Sequence, residues 1–148
     1  MRVHIATDHA AFELKNYLVE QLRRAGHEVV DHGADNYDAM DDYPAFVIPC
    51  AKAVADEAGI GIVLGGSGNG EQIAANKVRG IRAALAYNSE LARLAREHND
   101  ANIISLGGRM QSLEEAWDMV DVFLNTPFSG DERHQRRIDE ITEHENRG

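Results

Sequence analysis

Cysteine is nearly absent: Cys50 is the only one in 148 residues. No intrachain disulfide can form, and a lone thiol suits a reducing compartment, so a cytoplasmic location is expected. No uncharged apolar stretch is long enough to cross a bilayer, so no membrane segment is expected. The opening residues, MRVHIATDHAAF, contain neither an apolar leader core nor a small-residue cleavage site, and no signal peptide is expected. Cations are in deficit: 15 Lys and Arg stand against 25 Asp and Glu, a net charge of −10. That balance argues against an extended nucleic-acid surface, which needs clustered Lys and Arg. It leaves room for a small anionic ligand held by a few local arginines. Internal repeats, low-complexity tracts and linkers are also missing, so residues 1–148 read as one domain, long enough for a real core.

What is present is an alternation of short apolar runs with helix-like segments. RVHIAT (2–7), EVVDH (28–32), GIGIVLGG (59–66), GIRAALA (80–86) and ANIISLG (101–107) read as five buried strands, each rich in Val, Ile or Leu or in small apolar residues and bounded by Gly or polar residues. Between them, residues 10–25, 43–57, 70–78, 89–97 and 113–124 read as helices. In the first, Leu14, Leu18, Leu22 and Ala25 share one face, with Lys15, Glu20 and Arg23 off it, and Gly26 supplies a stop. Ser112-Leu113-Glu114-Glu115 is a capping-box pattern at the head of the fifth. A charged tail, 131–146, is expected to be helical. Strand–helix alternation of this kind predicts an α/β fold: a three-layer, Rossmann-like domain with a five-stranded parallel sheet and helices on both faces. Ligands in such folds bind outside the carboxyl ends of the strands, which directs attention to the loops there. The longest of them, HGADNYDAMDDYP (32–44), is too polar for a core.

After the third strand comes Gly65-Gly66-Ser67-Gly68-Asn69-Gly70-Glu71. Three familiar glycine loops fail here. A Walker A loop would continue with Lys-Ser/Thr, where this chain has Glu71-Gln72. The dinucleotide fingerprint needs G-x-G-x-x-G, and the nucleophile elbow needs Gly where Asn69 stands. What remains is a nest of backbone N–H donors, a hydroxyl at Ser67 and a carboxylate at Glu71. That set suits an enediolate intermediate, in which a base removes a proton next to a carbonyl and fixed donors hold the oxyanion. It equally suits a plain turn with Glu71 as a helix-start residue favoured by the dipole.

The other chemistry-bearing stretches are similarly two-sided. Asp8 can cap the helix after the first strand or, with His9, hydrogen-bond sugar hydroxyls or a phosphate. His98 can be a helix-end cation or, beside Asn99, an acid/base with a pKa near neutrality. Arg109 follows the fifth strand in Gly107-Gly108-Arg109. Arg133 and Arg137 are four apart on one helix face, which suits a phosphate or a solvated, salt-bridged surface near Asp131, Asp139 and Glu140.

Taken together, TDHA (7–10), GGSGNGEQIAANK (65–77), REHNDAN (96–102), SLGGR (105–109) and ERHQRR (132–137) resemble the ribose-5-phosphate isomerase B family, in the same order and over residues 2 to about 141. That family also includes isomerases of galactose 6-phosphate, allose 6-phosphate and some four-carbon sugar phosphates. The resemblance implies an aldose–ketose isomerase of the pentose phosphate pathway, converting ribose 5-phosphate to ribulose 5-phosphate through a cis-enediolate. It implies a homodimer, or a tetramer built from one, with sites at the subunit interface and no metal or cofactor. Glu71 would be the base and His98 would open the furanose ring. Asp8, His9 and Asn99 would hold sugar oxygens. Ser67, with Gly66 and the backbone of Gly68, Asn69 and Gly70, would stabilise the enediolate. Arg109, Arg133 and Arg137, with His134, would grip the phosphate. Many members carry a cysteine thiolate base where this chain has Ser67, a far weaker base without a partner. The proton then falls to Glu71, as in the branch of the family that uses Glu.

Chain order adds a point of its own. His98 and Asn99 precede the fifth strand, so they belong at the amino end of the sheet, whereas the Asp8, Ser67 and Arg109 loops belong at the carboxyl end. A two-fold partner can bring the two sets together. The readings to be distinguished are this isomerase, the same chemistry on a six- or four-carbon sugar phosphate, and a sugar-phosphate-binding module without turnover.

Overall fold

In the computed structural model, which describes residues 1–148, five strands alternate with helices: β1 (Arg2–Thr7), α1 (Phe12–Arg24), β2 (Glu28–Asp31), α2 (Pro44–Glu57), β3 (Ile60–Gly65), α3 (Asn69–Asn76), β4 (Ala83–Leu85), α4 (Ser89–Asn99), β5 (Ile103–Gly107), α5 (Leu113–Asn125) and α6 (Glu132–Arg147). All strand pairs are parallel, in the order β2-β1-β3-β5-β4. This is the three-layer, Rossmann-like α/β arrangement that the alternation predicts. No helix is long and apolar enough to cross a membrane.

The period-two pattern of the strands sorts their side chains between two cores. Val3 and Ile5, Ile62 and Leu64, and Ile104 and Leu106 pack with α1, α4 and α5 on one face. Ala6, Val63, Ala83 and Ile103 pack with α2 and α3 on the other. Side chains such as Leu18, Leu22 and Phe123 are fully removed from solvent, and each contributes on the order of 1.5–3 kcal/mol by that transfer.

Several element ends differ from the sequence expectation, each for a local reason. The first helix is preceded by a separate 3-10 turn, His9–Ala11, capped by Asp8. The fourth strand keeps only Ala83–Leu85, and the fifth starts at Ile103. There, Asn102 uses its side chain to bridge the Arg82 N–H and the Gly80 carbonyl, replacing ladder bonds. The fourth helix runs two residues past the expected end, so His98 and Asn99 lie in its last turn. Gly26, at φ +90°, follows the end of α1 as expected. The capping box at Ser112 and Glu115 is formed in both directions.

Helix α1 also corrects the face expected for it. Ala25 is exposed, and Lys15 is buried at 2 % exposure. The Lys15 ammonium donates to both Asp31 oxygens, at 3.1 and 2.9 Å, and to the Ala34 carbonyl at 2.7 Å. Burial is tolerated because all three donors of the ammonium are used. Two further bonds, Thr7 N–H to Gly33 O and Ala34 N–H to Thr7 O, each 2.8 Å, tie the same chain segment to the end of β1. The base of the long loop after β2 is thereby pinned beside the carboxyl end of the sheet.

Lys15→Met keeps the aliphatic stem but leaves the Ala34 carbonyl without this donor and Asp31, partly exposed, with the Gly33 N–H. It is expected to lower unfolding free energy by about 2 kcal/mol in urea titrations. A loss under about 1 kcal/mol would mean that this bond set is not holding the loop.

Candidate active site

The chain passes from β2 on one side of β1 to β3 on the other, so a crevice opens between the carboxyl ends of β1 and β3. The register levels those ends: Thr7 lies opposite Leu64, and Gly65 opposite Gly107. Asp8 and His9 therefore emerge beside Gly66 and Ser67, and Gly108 and Arg109 emerge beside them on the other flank. The Arg109 N–H donates to the Gly66 carbonyl at 3.2 Å, and its guanidinium lies close over Gly66.

The glycine loop places Glu71. Gly68, at φ +89°, caps α3 and turns the chain from strand into helix. Glu71 sits in the first turn, where an acidic residue is ordinarily solvated, but here it is 4 % exposed. Its carboxyl group lies directly against Gly65, and a β-carbon at that strand end would collide with it. Burial pushes the Glu71 carboxyl above the ordinary carboxylate range, a hydrogen bond from its own backbone N–H pulls it down, and the nearby Asp8 charge pushes it up again. A buried carboxylate with a raised pKa, facing a cleft, is what a carbon base requires. A solvated helix-start residue would look different on both counts.

Around Glu71 the cleft, of about 480 Å³, is lined by Asp8, His9, Gly66, Ser67, Gly70 and Arg109. Asp8 is both a cap and a cleft residue. Its Oδ1 accepts from the Ala10 N–H at 2.9 Å, and it is 7 % exposed. The Ser67 hydroxyl accepts from the Asn69 N–H at 3.2 Å. Gly68 is buried and Asn69 exposed, and neither side lines the cleft. Three more residues line the cleft without a site role legible in the sequence: Ala10, Tyr43 and Met110. Tyr43 brings its hydroxyl to 2.5 Å from where a Gly70 side chain would begin, and Met110 completes the wall. Asp41 binds His9 from behind. Tyr43 and Asp41 come from the polar loop after β2, whose composition reads simply as solvated.

Asp8, His9 and Asp41 bring potential metal-binding atoms within 4.8 Å of one another. Within this group, His9 Nδ1 and Asp41 Oδ1 are hydrogen-bonded to each other at 2.7 Å. Cys50 is buried in α2, and burial, with help from the Asp31 charge, pushes its thiol up to about 12. It supplies no thiolate.

His98, Asn99, His134 and Arg137 lie elsewhere. They border a second cleft of about 760 Å³ between α4, α6 and the segment Ile81–Ala84 at the amino end of β4. The His98 and His134 rings face each other with centroids 4.3 Å apart and planes tilted by 30°. Ser129 Oγ is 2.9 Å from His134 Nδ1. Burial, with the adjacent His98 and Arg133, lowers the His134 pKa. Helix α6 is anchored at its far end, where Glu145 accepts from the Gly80 N–H at 2.7 Å. Arg133 lines neither cleft: it is exposed beside Asp131, 3.6 Å away. One chain thus does not assemble Arg109, Arg133 and Arg137 around one phosphate. It carries two groups of polar residues, at opposite ends of the sheet.

The sequence profile of a family described as Ribose/Galactose Isomerase matches residues 3–141. Ribose-5-phosphate isomerase B of Mycobacterium tuberculosis (strain H37Rv) is 58 % identical over 146 residues, covering 98 % of this chain and 90 % of that protein. Among solved structures, ribose-5-phosphate isomerase B of Clostridium thermocellum superimposes with a TM-score of 0.95 at 44 % identity, over 99 % of both chains. That of Mycoplasma genitalium, with bound ribulose 5-phosphate, gives 0.96 at 40 % identity, over 99 % of this chain and 97 % of the other. By sequence and by structure, the chain belongs to the ribose/galactose isomerase family.

Proposed function

We propose that this protein is a ribose-5-phosphate isomerase, interconverting ribose 5-phosphate and ribulose 5-phosphate by proton transfer through a cis-enediolate. The observation that carries the reading is the Glu71 carboxylate, buried at 4 % exposure against Gly65 at the mouth of a glycine loop. In the open-chain aldose, Glu71 takes the proton from C2. The electron pair moves onto the C1 carbonyl oxygen, and the Gly70 N–H in the first turn of α3, with the Ser67 hydroxyl, stabilises that oxyanion. The C2 hydroxyl proton passes to O1, and as the C2–O pair collapses to a carbonyl, C1 takes the proton back from Glu71, giving the ketose. Asp8 and His9 hold sugar oxygens, and Arg109 draws the phosphate toward the Gly66 side of the cleft.

The remaining residues act from a partner. His98, Asn99, His134 and Arg137 lie at the amino end of the sheet and line a different cleft from Glu71. In a two-fold homodimer, His98 would open the furanose ring and Asn99 would bind a sugar oxygen. Arg137, with Arg133 and His134, would complete the phosphate site begun by the other chain's Arg109. Residues 1–148 act as one isomerase domain, with the tail helix α6 as its dimer arm. The buried, free Cys50 thiol suits a cytoplasmic setting.

Glu71→Gln is expected to reduce turnover of ribose 5-phosphate by roughly 10²–10⁴-fold, read as ribulose 5-phosphate formation. Turnover retained in the variant would remove Glu71 from the proton-transfer role. Turnover absent in both proteins, but present on a six- or four-carbon sugar phosphate, would reassign the substrate.

The same substitution is expected to stabilise the fold at neutral pH. Because the Glu71 pKa is raised in the folded chain, the folded state holds that proton more tightly than the unfolded chain does. Ionisation therefore removes stability as pH rises from the unfolded value through the folded one. The Tm of Glu71→Gln should exceed wild type at pH 7–8, with the gap closing as the pH falls to about 4. A gap of constant size would mean that burial is not what perturbs this carboxyl.

The shared site predicts complementation. Glu71→Gln and His98→Asn, each inactive alone, should recover about a quarter of wild-type activity when refolded together in equal amounts. Half of the resulting dimers are mixed, and each holds one intact site of two. No recovery, with mixed dimers demonstrated, would place both residues in one chain's site.

A further inference from the structure

The loop after β2 holds His9 by a bond set that the chemistry above does not use. Asp41 Oδ1 accepts two hydrogen bonds from the same residue: the His9 backbone N–H at 3.1 Å and Nδ1 at 2.7 Å. The Asp41 side chain is only 9 % exposed, and its other oxygen, Oδ2, is buried without a partner. Tyr37 closes the arrangement, its ring edge-on to the imidazole at 6.1 Å. An ionised carboxylate only accepts hydrogen bonds, so the contact requires a proton on Nδ1. Nε2 is then the nitrogen left for a ligand, and His9 borders the Glu71 cleft and an adjoining one of about 410 Å³ lined by Phe12, Glu13 and Arg109.

We propose that Asp41 is a positioning residue: it locks His9 in the Nδ1–H form, in one ring orientation, so that Nε2 is presented to an oxygen of the sugar phosphate. The clamp needs both of its bonds. The backbone bond fixes where the histidine leaves β1, and the ring bond fixes its rotation about the side chain. A carboxylate with one buried, unsatisfied oxygen costs stability unless it is offset by a strong contact, and the imidazole is the contact it has. The charged groups around the ring divide. Asp8 and Asp41 favour the imidazolium and Arg109 opposes it, with Glu71 across the same cleft and Glu13 in the adjoining one. The balance raises the His9 pKa, led by the Asp41 hydrogen bond. An imidazolium held this way donates from Nε2 to an anionic or hydroxyl oxygen. The identity of that ligand rests on the isomerase reading. The tautomer lock does not.

The two are separated by measuring the ring directly. Histidine-labelled protein, followed by two-bond proton–nitrogen NMR across the pH range, should show His9 with Nδ1 protonated throughout and only Nε2 titrating. In Asp41→Asn the titration should move to lower pH and the Nε2–H form should appear, because a neutral amide can flip to donate to Nδ1. In the same variant the KM for ribose 5-phosphate should rise about tenfold, with kcat changing less. In a His9→Gln background, Asp41→Asn should produce no further rise. Unchanged His9 resonances in Asp41→Asn overturn the proposal whether or not the protein turns over ribose 5-phosphate. A KM penalty that persists in full in the His9→Gln background also overturns it, because Asp41 would then be acting without the histidine.

Discussion

The Glu71 carboxyl lies against Gly65 so closely that any side chain at that strand end would occupy its space. Much of the local structure follows from this contact. Strand β3 has to end in glycine, and the chain must turn into α3 within three residues, with Gly68 in the left-handed region. Neighbouring strands must end level with it, and the register does level them, with Gly107 opposite Gly65. The Gly108 N–H donates to the Gly65 carbonyl at 2.6 Å, which brings the Arg109 loop onto the same platform. A carboxylate taken out of water at this position gains proton affinity, and the fold gives up stability to keep it there. A group with no chemical task would more cheaply be replaced by an apolar one.

The division of polar residues between the two ends of the sheet has an equally simple origin. In a parallel sheet every strand ends on the same edge, so loops that follow strands gather there and loops that precede them gather opposite. His98 and Asn99 close α4 just before β5, and α6 then returns along α4 to set His134 and Arg137 beside them. No rearrangement of side chains moves these residues past a five-stranded sheet to Glu71. In the proposed homodimer a second copy of the chain would do so, with a two-fold axis setting one protomer's amino-end patch opposite its partner's carboxyl-end patch.

Much of this was readable from the residues. The strands over 2–7, 28–32, 59–66 and 101–107 announce themselves as apolar runs between breakers. The split of His98 from Ser67 follows from which side of a strand each lies on in the sequence. What could not be read depends on contacts between distant segments. The sheet order places β5 between β3 and β4, and nothing in either strand's composition encodes that. Lys15 looks like a surface cation on the helical pattern, and only Asp31 and Ala34, brought near by the sheet, explain its burial. Asp41 and Tyr43 sit in DAMDDYP, whose polarity is that of any exposed loop. Their role emerges only when the loop is pinned at its base and folds back over His9 and Gly70.

The two faces of the sheet divide the labour between stability and placement. On the α1, α4 and α5 side, the strands present Ile, Leu and Val to a cluster of 20 buried residues. On the α2 and α3 side, they present Ala6, Gly61, Val63 and Ser105, and the cluster is half that size, 10 residues. Small strand residues let helices approach closely, and α3 comes near enough for Ser105 Oγ to bond the Gly68 carbonyl at 2.8 Å. That bond fixes the turn which aims Glu71. The larger core therefore supplies the stability that offsets holding a buried carboxylate behind a tight glycine turn on the thinner, more polar face.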